Sequence, residues 1–453
     1  MSEPTPLEYI EQLLDEQRFD EAESLLLEQL DRQTNLAAVY NALAIISIES
    51  YQDYRRAEKY YRQAITYHED SPTLYFNLAI LYEQFLNQPL EAITCYEKAI
   101  DLDPKYVDAY LNLAELCIDL NDDVELAFKC SEKVEELEPD HARNLNNLGC
   151  LYIKYKQDAE TAIPYFEKSV SLSTNPATAL ANLADAYVRA DRFDEAKEAY
   201  EESIQLEPDN TLVCHNYAHI LRHHFKAYEE AIEYYRQAIK LDPYSLVSYH
   251  GLRSLYAHDL HDPKSGVEVL ISALPYFKNE EGLVLEIANI YDFELDNHKQ
   301  AVHYYERVLE INPNNLLALN ALAYLNVEIF KNYLAALDYY LRVLEIDDQT
   351  PSTYVNIGHL YFYHLSDYKS AKLYYLKADA LIEKRGTPVK YAGELYYNLR
   401  VIYENYLADD YHAMEAYEKA VSYGKDKNAE NQQVLTNMLS VLGWLFPIPY
   451  DIV

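Results

Sequence analysis

A small residue returns almost every 35 positions along the chain: Ala22, Ala57, Ala92, Ala127, Ala162, Ala196, Ala231, Gly266, Ala301, Ala336, Ala371 and Ala413. Nine of the eleven intervals are 35 residues, one is 34 and the last is 42. A period held over the whole length means one supersecondary element stacked again and again, each copy burying its apolar face only against its neighbours. One elongated array is therefore expected, where 453 residues alone would suggest about three domains. An array of this kind offers a long continuous surface and rarely closes a catalytic pocket, so its default role is to hold other macromolecules.

With only 9 Gly and 17 Pro and no clean period-2 alternation, helix is the one element the chain can build throughout, and the fold class is all-α. Lysine and arginine number 38 against 75 aspartates and glutamates, a formal charge of −37. Such a surface repels phosphate backbones and anionic bilayers, which disfavours nucleic acid and membrane as partners. The carboxylates fall on the exposed faces of amphipathic stretches such as CYEKAIDLDP and AYEESIQLEP. Solubility is the first reading of that charge, and attraction of a basic partner the second.

Cys95, Cys117, Cys130, Cys150 and Cys214 are odd in number and contain no CxxC pair, so neither a disulfide framework nor a zinc ribbon is indicated. They read as small core residues of a reducing, cytoplasmic compartment. The start, MSEPTPLEYI, lacks the basic and apolar regions of a secretion signal, and no run of eighteen apolar residues occurs.

Residues 72–106 show how one repeat works. Tyr75, Leu78, Ala79 and Tyr82 recur at i, i+3, i+4 and i+7, the stripe of an amphipathic helix. After a break at Asn87-Gln88-Pro89, a second stripe follows with Ala92, Ile93, Tyr96, Ala99 and Ile100, ended by Asp103-Pro104. Two short antiparallel helices result. Ala79 and Ala92 let their backbones approach, and Tyr96 fills the space beside them.

In these positions the chain resembles the tetratricopeptide repeat family, whose pattern reads here as Tyr75, Leu78-Ala79, Tyr82, Ala92, Tyr96, Ala99 and Pro104. The same frame returns as Leu148-Gly149, Tyr152, Ala162 and Phe166, as Leu183-Ala184, Tyr187, Ala196 and Tyr200, and as Ile357-Gly358, Tyr361, Ala371 and Tyr375. It covers roughly residues 5 to 425. The resemblance implies a right-handed α-solenoid superhelix of about twelve helix-turn-helix repeats, with first helices lining a concave groove.

The family's usual repeat is 34 residues. Here Tyr82 to Ala92 is ten positions, but Tyr187 to Ala196 is nine, so the extra residue lies between the two helices. Tyr51, Leu86, Phe225, Leu260, Leu295, Phe330, Leu365 and Leu407 stand six residues before the small residue of the second helix. They are expected to prolong the first helix by one residue and to plug the turn. The array is assigned to residues 1–427, with a degenerate repeat near 246–280 around Gly251, Arg253 and Gly266 and a longer loop near 384–391 at Gly386-Thr387-Pro388. A change of curvature is expected at the degenerate repeat. Residues 428–453 are read as a capping helix, with Val434, Leu435, Met438, Leu439, Leu442 and Leu445 on its apolar side, and an apolar tail folded back on it.

Two residues before the small position of the first helix stands an asparagine in seven repeats: Asn77, Asn112, Asn147, Asn182, Asn216, Asn356 and Asn398. The resemblance places them on the inner wall. Each amide offers a donor and an acceptor, suited to peptide main chain regardless of its sequence, or to bonds within the scaffold. Gly251, Glu286 and Ala321 interrupt the ladder, so a bound segment should lie along the first seven repeats, or a second one along the last two.

Between residues 141 and 260 the charge is nearly balanced, with 12 basic and 17 acidic side chains, and seven of the fourteen histidines lie there. Arg143, Lys154, Arg189, His215, His219, Arg222, His250 and Arg253 form a candidate anion-selecting band, joined by His223 and His258. His215, His219 and His223 share one helical face, and their protonation near pH 6 would tighten an acidic ligand. No HExxH, phosphate loop, GxGxxG or GxSxG occurs, so no metal, cofactor or catalytic residue is assigned. The expectation is a non-catalytic scaffold or adaptor, monomeric, that grips an extended peptide of a protein partner in its groove. The alternative is a structural subunit that uses its outer face and ends.

Overall fold

The computed structural model describes residues 6–120, 123–385 and 391–423. The capping helix and tail assigned to 428–453, and the Gly386-Thr387-Pro388 loop, lie outside the described residues. Every regular element among the described residues is helical, and the helices follow one another as twelve antiparallel pairs. They divide into two compact bodies, Met1–Asp242 and Pro243–Val453. The first holds seven pairs, from Pro6–Asp15 with Phe19–Asp31 to Thr211–Ile220 with Tyr228–Leu241. The second holds five, from Leu246–Ser254 with Pro263–Ala273 to Ala392–Ile402 with Asp410–Ser422.

The 35-residue beat marks the closest approach of the paired helices. Ala22, Ala57, Ala92, Ala127, Ala162, Ala196, Ala231, Ala301, Ala336 and Ala371 are each 0% exposed, and Ala413 is 7% exposed. Beside them lie buried rings one helical turn further on, Tyr61, Tyr96, Phe166, Tyr200, Tyr235, Tyr305, Tyr340 and Tyr375. The second helices start where short polar side chains can take an orphan amide. Asp53, Asp123, Asp158, Asp262, Asn297, Asn332 and Asp409 each accept from the backbone N–H three residues ahead.

The extra residue has a backbone explanation. In seven pairs the first helix finishes in a π turn: Leu81–Phe85, Tyr152–Lys156, Leu221–Phe225, Leu255–Asp259, Ile290–Glu294, Leu360–His364 and Tyr403–Leu407. A single π turn is the way a helix absorbs one inserted residue without losing its path. The chain then reverses through one left-handed residue, Asn87, Gln157, Lys226, His261, Asp296, Ser366 or Ala408, none of them glycine. The closing bond spans six residues, as in Gln88 N–H to Tyr82 O at 2.9 Å and Asp367 N–H to Tyr361 O at 3.0 Å. Two pairs make the shorter turn without a π turn: after Ala177–Arg189, Arg192 N–H reaches only five residues back, to Tyr187 O at 2.9 Å, and after Pro6–Asp15, Arg18 N–H reaches Leu13 O at 2.8 Å. Leu36–Glu49 and Leu316–Glu328 also lack it and take the extra residue into the turn itself, with Asp53 bonded to Ser47 and Asn332 to Asn326.

The first helix therefore does run on, and the expected plug forms only in part, as at Leu86, which packs against the core. Tyr51 is 42%, Leu260 38%, Phe330 39% and Leu407 37% exposed, while Leu86, Phe225, Leu295 and Leu365 are half-buried. The π turn does not decide this, since Tyr51 and Phe330 belong to pairs without one while the half-buried four stand at the end of one. The degenerate repeat still forms a pair. Its second helix stops early, at 11 residues where its neighbours have 14, and Gly266 packs so close that a Cβ would lie 3.1 Å from Arg253 O. The 42-residue interval is met partly by an 18-residue second helix, Tyr368–Arg385.

Candidate ligand-binding face

In the first body the first helices touch in succession: Val107–Leu120 meets Ala142–Leu151, which meets Ala177–Arg189, which meets Thr211–Ile220. The candidate asparagines follow this contact line. Asn77 Nδ2 donates to Asn41 Oδ1 at 3.1 Å, Asn147 Nδ2 to Glu115 Oε1 at 3.1 Å, Asn182 Nδ2 to Asn146 Oδ1 at 2.9 Å, and Asn216 Nδ2 to Asp185 Oδ1 at 3.2 Å. Each bond reaches one pair back. Asn112 Nδ2 instead donates to the Tyr96 hydroxyl at 3.2 Å, and its oxygen accepts from Arg143 at 2.8 Å.

The amide donors thus tie pair to pair, and the acceptors divide into two sorts. Asn112 Oδ1 is engaged, whereas Asn77, Asn147, Asn182 and Asn216 Oδ1 accept no hydrogen bond among the described residues. Asn147 is buried and the other three are half-buried. In the second body Asn398 is 0% exposed and bridges two phenols, donating to Tyr375 Oη at 3.1 Å and accepting from Tyr363 Oη at 3.0 Å. Asn356 bonds the hydroxyl of Tyr340 and lines a small cavity.

Carboxylates turn out to have an internal duty that the sequence did not reveal. Core tyrosines must find an acceptor for a buried hydroxyl. Tyr96 donates to Glu83 at 2.5 Å, Tyr200 to Asp185, Tyr217 to Glu201 at 2.6 Å, Tyr82 to Glu58 at 2.9 Å and Tyr305 to Asp292 at 3.3 Å. Burial pushes the carboxyls of Glu83, Asp185 and Asp292 above the usual range, against the pull of the hydroxyls that bond them. A thirteen-residue spacing, Glu83 to Tyr96 and Asp292 to Tyr305, is the trace this leaves in the sequence.

One consequence is measurable. Because the folded pKa of Asp185 lies above its unfolded value, the native state holds its proton longer, and stability falls as pH rises through that window. The penalty is then constant up to neutral pH. Asp185→Asn keeps an oxygen for Tyr200 and Asn216 but removes the half-buried charge. A higher melting temperature than the parent is expected at about pH 7, with the difference closing near pH 3, checked by circular dichroism.

Several members of the candidate cationic band are engaged within the scaffold. Arg222 is 7% exposed and belongs to the interior. Arg143 is held by Glu115 through its Nε at 2.5 Å, and Lys154 gives its ammonium to the Ile118 carbonyl. His250 and Arg253 meet Glu286 at 3.4 and 3.8 Å, and Arg253 also bonds Glu294 at 2.5 Å. Arg143, His250 and Arg253 are spent on the chain's own carboxylates, and His250 and Arg253 belong to the second body. Arg189 makes no ion pair among the described residues and stands near Asp185.

His219 and His223 do share a face, with ring centroids 4.3 Å apart, and His215 stands edge-on to Tyr235 at 5.4 Å. Burial lowers the pKa of His215, with His219 adding repulsion. His219 is lowered by burial and then by Arg222 and His224, although its ring edge reaches solvent. For these two of the three rings the expected protonation near pH 6 is therefore corrected. These two rings stay neutral below the usual histidine range.

Family models of the tetratricopeptide repeat match residues 142–176, 212–245, 283–315 and 351–385, another matches 177–210, and a TPR repeat model matches 87–117. The chain belongs to the tetratricopeptide repeat family. Five of these matches each cover one pair described above, and 87–117 joins the second helix Pro89–Leu102 to the following first helix. YrrB, titled a TPR protein with an unusual peptide-binding site, is 22% identical over 42% of this chain and 96% of its own, with a TM-score of 0.34. A tetratricopeptide repeat protein from Parabacteroides merdae is 18% identical over 55% of this chain and 97% of its own, with a TM-score of 0.45. Human IFIT1, as a dimer with PPP-AAAA, is 16% identical over 82% and 89%, with a TM-score of 0.43. These likenesses concern the fold alone. No curated protein matches the chain. No helix among the described residues is long and apolar enough to cross a membrane.

Proposed function

We propose that this tetratricopeptide repeat protein, an interaction scaffold by family, is non-catalytic and holds an extended segment of a protein partner along the first helices of its first body. The observation that supports this is the row of asparagine oxygens at Asn77, Asn147, Asn182 and Asn216, left without a donor while each amide nitrogen is fixed to the scaffold. Anchored on one side, these side chains are oriented in advance and lose little freedom when a ligand N–H arrives. The ladder therefore acts as a line of acceptors, which suits backbone amides. A net charge of −37 favours a basic or neutral segment over nucleic acid.

The test replaces Asn77, Asn182 and Asn216 together by Ala, sparing the buried Asn147. At roughly 1 kcal/mol per bond, affinity for a partner segment recovered by pull-down should fall about a hundredfold, in a variant that keeps its helical dichroism but melts at a lower temperature because three pair-to-pair bonds are lost. A titration giving the same Kd as the parent, on a folded variant, would remove the proposal.

A further inference from the structure

We propose that the second body carries a socket for one cationic side chain, the guanidinium or ammonium head of an arginine or lysine on a partner segment. The socket is a cavity of about 80 Å³ between the first helices of the last three pairs, walled by Tyr324, Tyr340 and Tyr363 with Glu328, Glu394 and Asn356 among them. Several water-sized groups fit such a space, enough for a compact charged head but not for a nucleotide. Among the described residues no lysine or arginine lines it.

The chemistry of the wall selects the occupant. His359 and His364 also line it, and burial holds His364 below the usual histidine range, so an anion would face two carboxylates without a strong counter-charge, while an aliphatic group would strip water from both without replacing it. A cation is attracted by the carboxylates and by the faces of the phenol rings together. A planar guanidinium can also lie flat on a ring while bonding a carboxylate through its edge. Of the two carboxylates, Glu394 shares a hydrogen bond with the Tyr363 hydroxyl at the rim, and Glu328 has only a loose ion pair. The nearest cation to Glu328 is Lys331 at 3.9 Å, with a side chain 55% exposed, a contact of the weak surface kind that a ligand can displace. Tyr340 forms the floor at 6% exposed, its hydroxyl bonded by Asn356. Tyr363 stands at the rim, 42% exposed, steadied by its bond to Asn398 Oδ1.

The socket opens on the same first helices that carry Asn356 and Asn398, so a segment lying there could insert one side chain. That source for the cation rests on the scaffold function proposed above. The socket itself does not.

The experiment uses the full chain and the capped tripeptides Ac-Gly-Arg-Gly-NH2 and its Lys, Ala and Glu counterparts, with agmatine as the free-amine arm, all read by ligand-observed saturation-transfer NMR. The arginine and lysine peptides should receive saturation and the alanine and glutamate peptides should not. Glu328→Gln with Glu394→Gln should weaken arginine-peptide binding about tenfold or more, and Tyr324→Leu should weaken it by a smaller factor. If the double variant does not fold, Glu394→Gln alone is read in its place. Equal binding of the arginine and alanine peptides, or an arginine peptide indifferent to the carboxamides, would overturn the socket. Agmatine binding where the capped peptide does not would reassign it to a free amine and overturn the partner segment as source. A tripeptide cannot span the Asn77 to Asn216 row, so its failure leaves that reading standing, and loss of segment binding in the Asn variant leaves the tripeptide result unaffected.

Discussion

Replacing Gly358 by Ala should cost about 2–3 kcal/mol, while the same change at Gly149 should cost about 1 kcal/mol. Both glycines face an aromatic ring seventeen residues on. A Cβ at Gly149 would lie 2.6 Å from Phe166 Cε1 and Cζ, and one at Gly358 would lie 2.6 Å from Tyr375 Cδ1 and closer still to Cε1. Other repeats carry alanine here, as in Ala79 beside Tyr96, so a displaced ring is an allowed arrangement of this fold. The two sites differ in how freely the ring can move. Phe166 has no hydroxyl to hold it. Tyr375 is 0% exposed, its oxygen bonded to Asn398 and its ring set edge-on to His359 at 5.6 Å. Moving it breaks the buried bond as well as the packing. In a Tyr375→Phe background the cost of Gly358→Ala should drop toward the Gly149 value. Hydrogen exchange in Pro351–His359 and Tyr368–Arg385 is the suitable readout, because a repeat array need not unfold in one step. Equal costs at the two glycines would contradict the tethered ring.

Asn398→Ala should destabilise the last two pairs by about 3 kcal/mol. The side chain is fully buried and joins the Tyr375 and Tyr363 hydroxyls, which come from both helices of the preceding pair. Its loss leaves a cavity and orphans at least the Tyr375 hydroxyl, since Tyr363 can turn to water. Asn398→Leu fills the space but not the bonds, and should recover little. Combined with Tyr375→Phe, which removes the orphaned group, it should recover most of the loss. Urea denaturation followed by tyrosine fluorescence and far-UV dichroism checks both variants. An additive pair of single-site costs would show that the bond carries no coupling.

Much of this fold could be read from residue order, because the repeat is a local rule applied twelve times. Buried Ala22 to Ala413, the Asp and Asn side chains that cap second helices, and the prolines at Pro72, Pro89, Pro263 and Pro351 all act within a few residues of themselves. The count of ten rather than nine between Tyr82 and Ala92 located the insertion correctly. It could not say that a π turn absorbs it, since that is a choice of hydrogen-bond partner and leaves no composition behind. The candidate site was less legible for a related reason. Its bonds join residues 16 to 41 positions apart, such as Asn112 with Tyr96, Asn77 with Asn41 or Arg253 with Glu294. Whether an arginine faces a groove, a carboxylate or the interior, as Arg222 does, depends on side-chain direction that periodicity does not carry. The acidic excess hid the acceptors of the core tyrosines in the same way, by making every carboxylate look alike.

The most direct measurement is a hydrogen-exchange footprint of the chain with and without a captured partner segment. Slowed exchange concentrated in Val107–Leu120, Ala142–Leu151, Ala177–Arg189 and Thr211–Ile220, with their second helices unchanged, is the expected result. Protection confined to the second helices, Val124–Leu137, Ala159–Leu172, Phe193–Leu206 and Tyr228–Leu241, would place the partner on the opposite face and contradict it.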